Sequence, residues 1–286
     1  MKIKVITSYK PGTWDEYARR AVDSILQHWP DDTKVTVYHE TQTQDIFEHP
    51  RLEWIDVHKV QPALLEFKNK YKDDPVANGE IQEIDNGVRR PGPMPPKGSF
   101  QWNAVRFSNK VFCVTHALRN SIDYDYVVWI DADTYSFRKM PPSFLDKILP
   151  SDSFVTYLGR GDQDPECGFV GYNLKHAELG QFNNEWEALY TNDGIFKLTS
   201  GWTDCSSLIY LIDKYQKAKG IKVTDIGHAS GVKGNHVFIN SVLGLYMDHF
   251  KGKRKKSGNS WKKDFWPQSR AETKNIAELD YWKNIK

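Results

Sequence analysis

Along the first half of the chain the hydrophobic pattern switches between a period of two and a period near 3.6. In the segment "IKVITSY" (3–9) the apolar Ile3 and Val5 alternate with lysines, and the segment predicts a strand. In "TWDEYARRAVDSILQHW" (13–29) the apolar positions recur at helical spacing, with Thr13 placed as N-cap. "KVTVYHE" and "LEWIDV" predict two more strands, and "QPALLEFKNKYKDD" a helix. The stretch 85–99 is rich in proline and glycine and reads as a long loop. "FQWNAVRFSNKVFCVTHALRNS" (100–121) resumes a helix, and Trp102 within it reads as core packing rather than a stacking platform. "YVVWI" (126–130) follows as a strand without alternation. Such a βαβ rhythm predicts an α/β fold with a mostly parallel sheet covered by helices on both faces.

The apolar run ends in two aspartates, Asp131 and Asp133, in the sequence "WIDADT". In open α/β sheets ligands gather beyond the carboxyl ends of the strands. Alternate residues of an extended segment point to one side, so these two carboxylates are expected to converge and to hold a hard cation on phosphate oxygens. The pattern D-x-D occurs three times, at Asp123/Asp125, Asp131/Asp133 and Asp162/Asp164. Only the middle pair follows a strand of the buried type, so only it is read as a site.

The second half predicts a helix ("PPSFLDKIL"), a strand ("SFVTYL"), the glycine-bearing segment "PECGFVGYN" (165–173), and two helices, "HAELGQFNNEWEALY" and "GWTDCSSLIYLIDKYQKAK", the latter capped by Thr203 or Asp204. The glycines of 165–173 suggest close approach to a ligand or another strand. Near the end, "YMDHFKGKRKKSG" (246–258) carries His249, Gly252 and Lys255 in the spacing H-x-x-G-x-x-K. An imidazole can complete a cation site begun by two carboxylates. A glycine lets backbone approach phosphate, and a lysine neutralises it.

Composition narrows the classes. A formal net charge of +2 over 286 residues favours neither nucleic acid nor a membrane surface. Three cysteines without CxxC spacing argue against a disulfide framework or a zinc knuckle. The first residues lack the apolar core of a signal peptide, and no run reaches the length of a membrane span. A soluble, cytoplasmic protein with reduced thiols is expected.

The pairing of "WIDADT" with "HFKGKRK" resembles the GT-A fold glycosyltransferases that use nucleotide-sugars. It is most similar to the retaining group that includes glycogenin and the bacterial lipopolysaccharide galactosyl- and glucosyltransferases. The resemblance implies a GT-A, Rossmann-like domain over residues 1–256, with a nucleotide-binding half (1–135), an acceptor half carrying the diphosphate loop (136–256), and a C-terminal tail (257–286). It implies that Asp131, Asp133 and His249 bind manganese or magnesium, and that Gly252 and Lys255 hold the donor diphosphate. Thr7, Ser8 and Tyr9 match the nucleotide-base loop in position, and Arg106 an arginine that orders the donor. Gly168 and Asn173 fall in register with the family's "NxG…N" segment, and Asp204 with an aspartate that contacts the transferred sugar. The implied donor is a nucleoside diphosphate sugar, UDP-sugar ahead of GDP-sugar. The acceptor is a glycan, a lipid-linked sugar or a protein. Departures lie on the sugar-facing side: Glu166 replaces the first Asn of "NxG", Cys205 the Gln of "DQ", and Lys256–Ser257 the usual Pro-Trp.

The implied transfer proceeds with retention, in which the leaving phosphate takes the acceptor proton. Inversion needs a carboxylate base, for which Glu166 and Asp204 are the candidates. The plainer roles are a loop carboxylate for Glu166 and a helix N-cap for Asp204. His228 and His236 suit structural or surface positions better than ligation. Two other functions fit parts of the chain. One is a nucleic-acid or anionic-surface binding module built on the basic segment 251–263. The other is a sugar nucleotidyltransferase, although "TSYKPGTW" has one glycine where such enzymes carry a Gly-rich loop.

Overall fold

The computed structural model describes residues 1–41, 45–80, 100–161, 163–227, 236–265 and 276–285. The proline-rich stretch 85–99, His228 and Asp162 lie outside the described residues. The strands are β1 (Ile3–Ser8), β2 (Lys34–His39), β3 (Leu52–Asp56), β4 (Tyr126–Ile130), β5 (Thr134–Ser136), β6 (Val155–Arg160), β7 (Gln163–Asn173), β8 (Thr224–Asp225) and β9 (Met247–His249). The helices are α1 (Arg19–His28), α2 (Val57–Val60), α3 (Pro62–Tyr71), α4 (Ala104–Arg119), α5 (Pro142–Ile148), α6 (Leu179–Thr191), α7 (Asp204–Lys219), α8 (Val237–Asn240), α9 (Arg254–Ser257) and α10 (Asp280–Lys283).

Among the described residues seven strands form one sheet in the order β3-β2-β1-β4-β7-β6-β8. Only β7 runs against the others, pairing antiparallel with β4 and β6. The fold is therefore the mixed α/β type that the pattern predicts. β4 shows why its sequence does not alternate. Val127 and Trp129 belong to one core cluster, and Tyr126, Val128 and Ile130 to the other. Each face of the strand is covered by a separate apolar layer, so every residue is apolar.

Local signals account for most boundaries. α3 opens with Pro62 at its first position, where the missing N–H is no loss. The Asn103 side chain accepts from the Arg106 N–H and caps α4. Thr13 takes the N-cap position before a π-turn (Trp14–Ala18) that leads into α1, but its hydroxyl makes no cap bond and donates to the Lys10 carbonyl. Trp102 is buried edge-on against Trp202, as core packing requires.

The C-terminal segment packs against the part of the chain that carries β9. Trp282 is buried in the second core cluster and donates from Nε1 to the Gly244 carbonyl. The Tyr281 hydroxyl donates to Asp248, whose carboxylate also accepts from the Ser260 N–H and hydroxyl. Among the described residues no helix is long and apolar enough to cross a membrane.

Candidate functional site

Beyond the carboxyl end of β4 the backbone does not continue extended. Asp131 donates its N–H to the Gly168 carbonyl, one step past the ladder, and Thr134 then donates back to the Asp131 carbonyl. The D-x-D thus lies in a tight turn, and the turn rather than strand alternation brings its carboxylates together. The same turn starts β5, whose Thr134 pairs with His249 of β9. This short antiparallel ribbon delivers the imidazole from 116 residues away in sequence.

One ligand atom each from Asp131, Asp133 and His249 lies within 4.8 Å of the others. His249 Nε2 is 3.1 Å from Asp133 Oδ1 and 3.8 Å from Asp131 Oδ2. The remaining oxygens are held by other groups. Asp131 Oδ1 accepts from Trp129 Nε1 at 2.7 Å and from Lys110 at 3.0 Å, and Asp133 Oδ2 pairs with Lys255 at 2.9 Å. Asp131 Oδ2, Asp133 Oδ1 and His249 Nε2 therefore face one another. Two oxygens and one imidazole nitrogen fit a divalent cation of the manganese or magnesium class.

The second nitrogen of His249 supports the same reading. Nδ1 is buried without an aligned hydrogen bond and lies 3.4 Å from Glu166 Oε1. A metal-binding histidine commonly presents its other nitrogen to a carboxylate. Glu166 sits behind the imidazole at 5 % exposure and pairs with Lys251. It is neither an exposed loop carboxylate nor aimed at the open side of the site. Gly168 explains the glycine at this point of β7, because a Cβ there would stand 2.7 Å from His249 Cε1 and 2.8 Å from Nδ1. Gly168→Ala is expected to push the ring out of line with the two carboxylates and to lower any Mn²⁺ affinity of the group by about 10–100-fold while the protein still folds. Isothermal titration with Mn²⁺ beside circular dichroism checks this.

Electrostatics follow the geometry. Burial raises the Asp133 carboxyl, but His249 and Lys255 outweigh it and hold the group well below the usual carboxylate range. Burial lowers the His249 imidazole, but the Asp133, Asp131 and Asp248 charges outweigh it and raise the group. A depressed acid contributes stability above its unfolded value of 3.8 and loses it as pH falls through the lower folded value. Urea unfolding between about pH 5 and pH 2 is therefore expected to show a stability gap between wild type and Asp133→Asn that narrows as pH falls below about 4.

Asp131 and Asp133 form part of the wall of a cavity of about 810 Å³, within the range of small-molecule sites, while His249 is buried and is not among its lining residues. Ser8, Tyr9, Arg106, Asp131, Asp133 and Lys255 all line it. Thr7 is buried in β1 beneath them. Gly252 adopts φ +58° with open space where a side chain would stand, so a glycine suits the turn leading into α9.

Two expected residues stand elsewhere. Asn173 pairs with Tyr126 at the start of β4, the opposite end of the strand from the D-x-D. Its amide donates to the Ser151 and Ser153 carbonyls, so its work is to hold the loop before β6. Asp204 is not the N-cap of α7. Thr203 fills that role by accepting from the Ser206 N–H, while Asp204 is buried and pairs with Lys110 at 2.9 Å. Of the other D-x-D pairs, Asp125 accepts from the Lys2 N–H and Asp164 from Ser206. His236 lies beside His249 and shares a bond with Ser260; burial, aided by the His249 and Arg254 charges, pushes it down to about 3 and keeps it neutral.

Lys110 escaped the sequence reading. It contacts Asp131, Asp204 and the Cys167 carbonyl, and so joins α4, β7 and α7 at the site. Burial lowers its ammonium, but Asp131 and Asp204 outweigh burial and raise it well above the ordinary lysine value. The signal was its place one helical turn after Arg106, on the face of α4 that also carries apolar residues. Lys251, two residues after His249, was likewise missed.

No protein-family model matches the chain, and no curated protein does. Among solved structures the chain is similar to mouse xyloside xylosyltransferase 1 in its apo form, at 10 % identity over 78 % of this chain and 83 % of that one, with a TM-score of 0.45. It is also similar to a glycosyltransferase involved in the glycosylation of the major capsid of PBCV-1, at 12 % identity over 90 % of this chain and 98 % of that one, with a TM-score of 0.48.

Proposed function

We propose that the chain is a metal-dependent glycosyltransferase of the GT-A type, moving a sugar from a nucleoside diphosphate sugar to an acceptor hydroxyl. UDP-sugar is the favoured donor, Mn²⁺ or Mg²⁺ the cation, and a glycan, lipid-linked sugar or protein the acceptor. The observation that carries this reading is the meeting of Asp131, Asp133 and the buried His249, with the two aspartates on the wall of a cavity that Lys255 also lines. A cation held there supplies positive charge to a departing diphosphate. Lys255, now paired with Asp133, can turn to a phosphate oxygen and share that stabilisation. Arg106 lines the same cavity and offers a second cation to the donor. Ser8 and Tyr9 stand at the end of β1, where the base loop belongs.

Retention fits the surroundings better than inversion. Glu166 faces His249 and Lys251, and Asp204 is fixed to Lys110, so neither candidate base is poised over the cavity. The leaving phosphate then serves as the proton acceptor. A binding module on the basic segment 251–263 is less well supported, because several of its cations turn inward. Lys251 pairs with Glu166, Lys255 with Asp133, and Arg254 with Asp264.

The test is thermal unfolding with UDP, GDP and other nucleoside diphosphates, each with and without Mn²⁺. A ligand that binds only the native state raises the melting temperature, by RT ln(1 + [L]/Kd) in stability. A rise for one nucleotide that depends on metal is the expected result. No rise with any nucleotide and metal overturns the reading.

A further inference from the structure

On the side of Lys110 away from the D-x-D, two cysteines meet. Cys167 belongs to β7, and Cys205 is the second residue of α7. Ligand atoms of Cys167, Cys205 and Asp204 lie within 4.8 Å of one another, and Cys205 Sγ is 3.7 Å from Asp204 Oδ2. A tetrahedral ion with bonds of about 2.3 Å to sulfur and about 2.0 Å to oxygen sets its donors roughly 3.5–3.8 Å apart. The three atoms thus stand close to the separations one such ion needs. Cys113 is buried in α4 and is not one of the three.

Charge favours the same occupant. Two thiolates and the Asp204 carboxylate carry three negative charges, and a divalent ion leaves one. The Lys110 ammonium, 2.9 Å from Asp204, brings the assembly to neutrality, the arrangement that burial penalises least. Without an ion, burial and then the neighbouring Cys205 and Asp204 push the Cys167 thiol well up, so it stays protonated. An arriving cation replaces thiol protons, as in other thiolate sites. Cys205 is partly exposed while Cys167 is buried, which gives the ion a way in.

We propose that Cys167, Cys205 and Asp204 form a second cation site, for a soft divalent ion of the zinc class, beside the oxygen-rich group at Asp131 and Asp133. Sulfur selects zinc or cadmium, whereas the D-x-D carboxylates suit manganese or magnesium. The proposal stands on the thiol cluster alone and does not depend on the glycosyltransferase reading. One consequence reaches that reading: a zinc ion here engages Asp204, the carboxylate that the resemblance to GT-A enzymes assigns to the sugar side.

The test uses the full chain, reduced, in excess Mg²⁺ to fill the oxygen site. Cd²⁺ is added while the ultraviolet thiolate-to-metal charge-transfer band is followed. The expected result is a band that saturates at one equivalent and persists in Cys113→Ser. Cys205→Ser is expected to weaken binding by more than about 100-fold, beyond the effect of losing an outer-shell partner. A second measurement needs no variant: Zn²⁺, but not Mn²⁺, is expected to slow alkylation of Cys205, read by mass spectrometry. No saturable band on wild type, an unchanged band in Cys205→Ser, or alkylation indifferent to Zn²⁺ each overturns the proposal. So does recovery of the two cysteines only as a disulfide, with no metal band after reduction.

Discussion

Asp133→Ala is expected to abolish the metal-dependent thermal shift and to lower transfer activity by about a thousandfold or more. Asp133 is the centre of the group: one oxygen faces His249 at 3.1 Å and the other Lys255 at 2.9 Å. Removing it deletes one of the three proposed cation ligands and leaves a raised imidazole and an ammonium without their shared anion. Cation charge stabilisation is worth several kcal/mol, and each 1.4 kcal/mol is about tenfold in rate. The metal-free variant is also expected to melt lower, because a largely buried ion pair has lost a partner. The decisive quantity is therefore the nucleotide-plus-metal shift within each protein, not the melting temperature between proteins. A variant that keeps the wild-type shift removes Asp133 from the cation site.

Lys110→Met is expected to be the most destabilising single change at the site. The methionine keeps most of the volume and removes the charge. Asp131 and the buried Asp204 then face each other's field without the ammonium that lies 3.0 Å and 2.9 Å from them. Breaking a buried pair by removing one partner costs about 3–5 kcal/mol. At roughly 2–4 °C per kcal/mol for a chain of this size, the melting temperature falls by about 10 °C. Adding Asp204→Asn removes one orphaned charge and is expected to recover part of the loss, with a coupling of about 0.5–3 kcal/mol in the double-mutant cycle. A loss below about 1 kcal/mol would mean that solvent screens these carboxylates as it does surface pairs.

The core of the candidate site was legible where chemistry is local. "WIDADT" declared two carboxylates after a buried strand, and H-x-x-G-x-x-K declared an imidazole, a turn glycine and a lysine. Asp131 and Asp133 of the first motif meet His249 and Lys255 of the second in the structure. Lys110 was harder to single out because its helix reads as an ordinary core helix, and its place one turn after Arg106 does not say that two acids from other elements will reach it. Glu166 was legible as an acid but not as the partner of His249, since that role depends on how β7 passes behind β9. Asn173 was misplaced for a related reason. Position within "GYN" says nothing about which end of β4 it will pair with, and the antiparallel register puts it at the far end.

The sequence by itself determined the alternation of strands and helices, the buried central strand and the residue types of the proposed cation group. These follow from periodicity and side-chain chemistry, which act within a few residues. Tertiary structure decided the direction of β7, the turn that aims the two aspartates, the ribbon that brings His249 to them, and the meeting of Cys167 with Cys205. Each of these joins segments far apart in the chain. Such contacts are fixed by the joint packing of two apolar layers and by the need to pair buried charges, and no single segment carries that information.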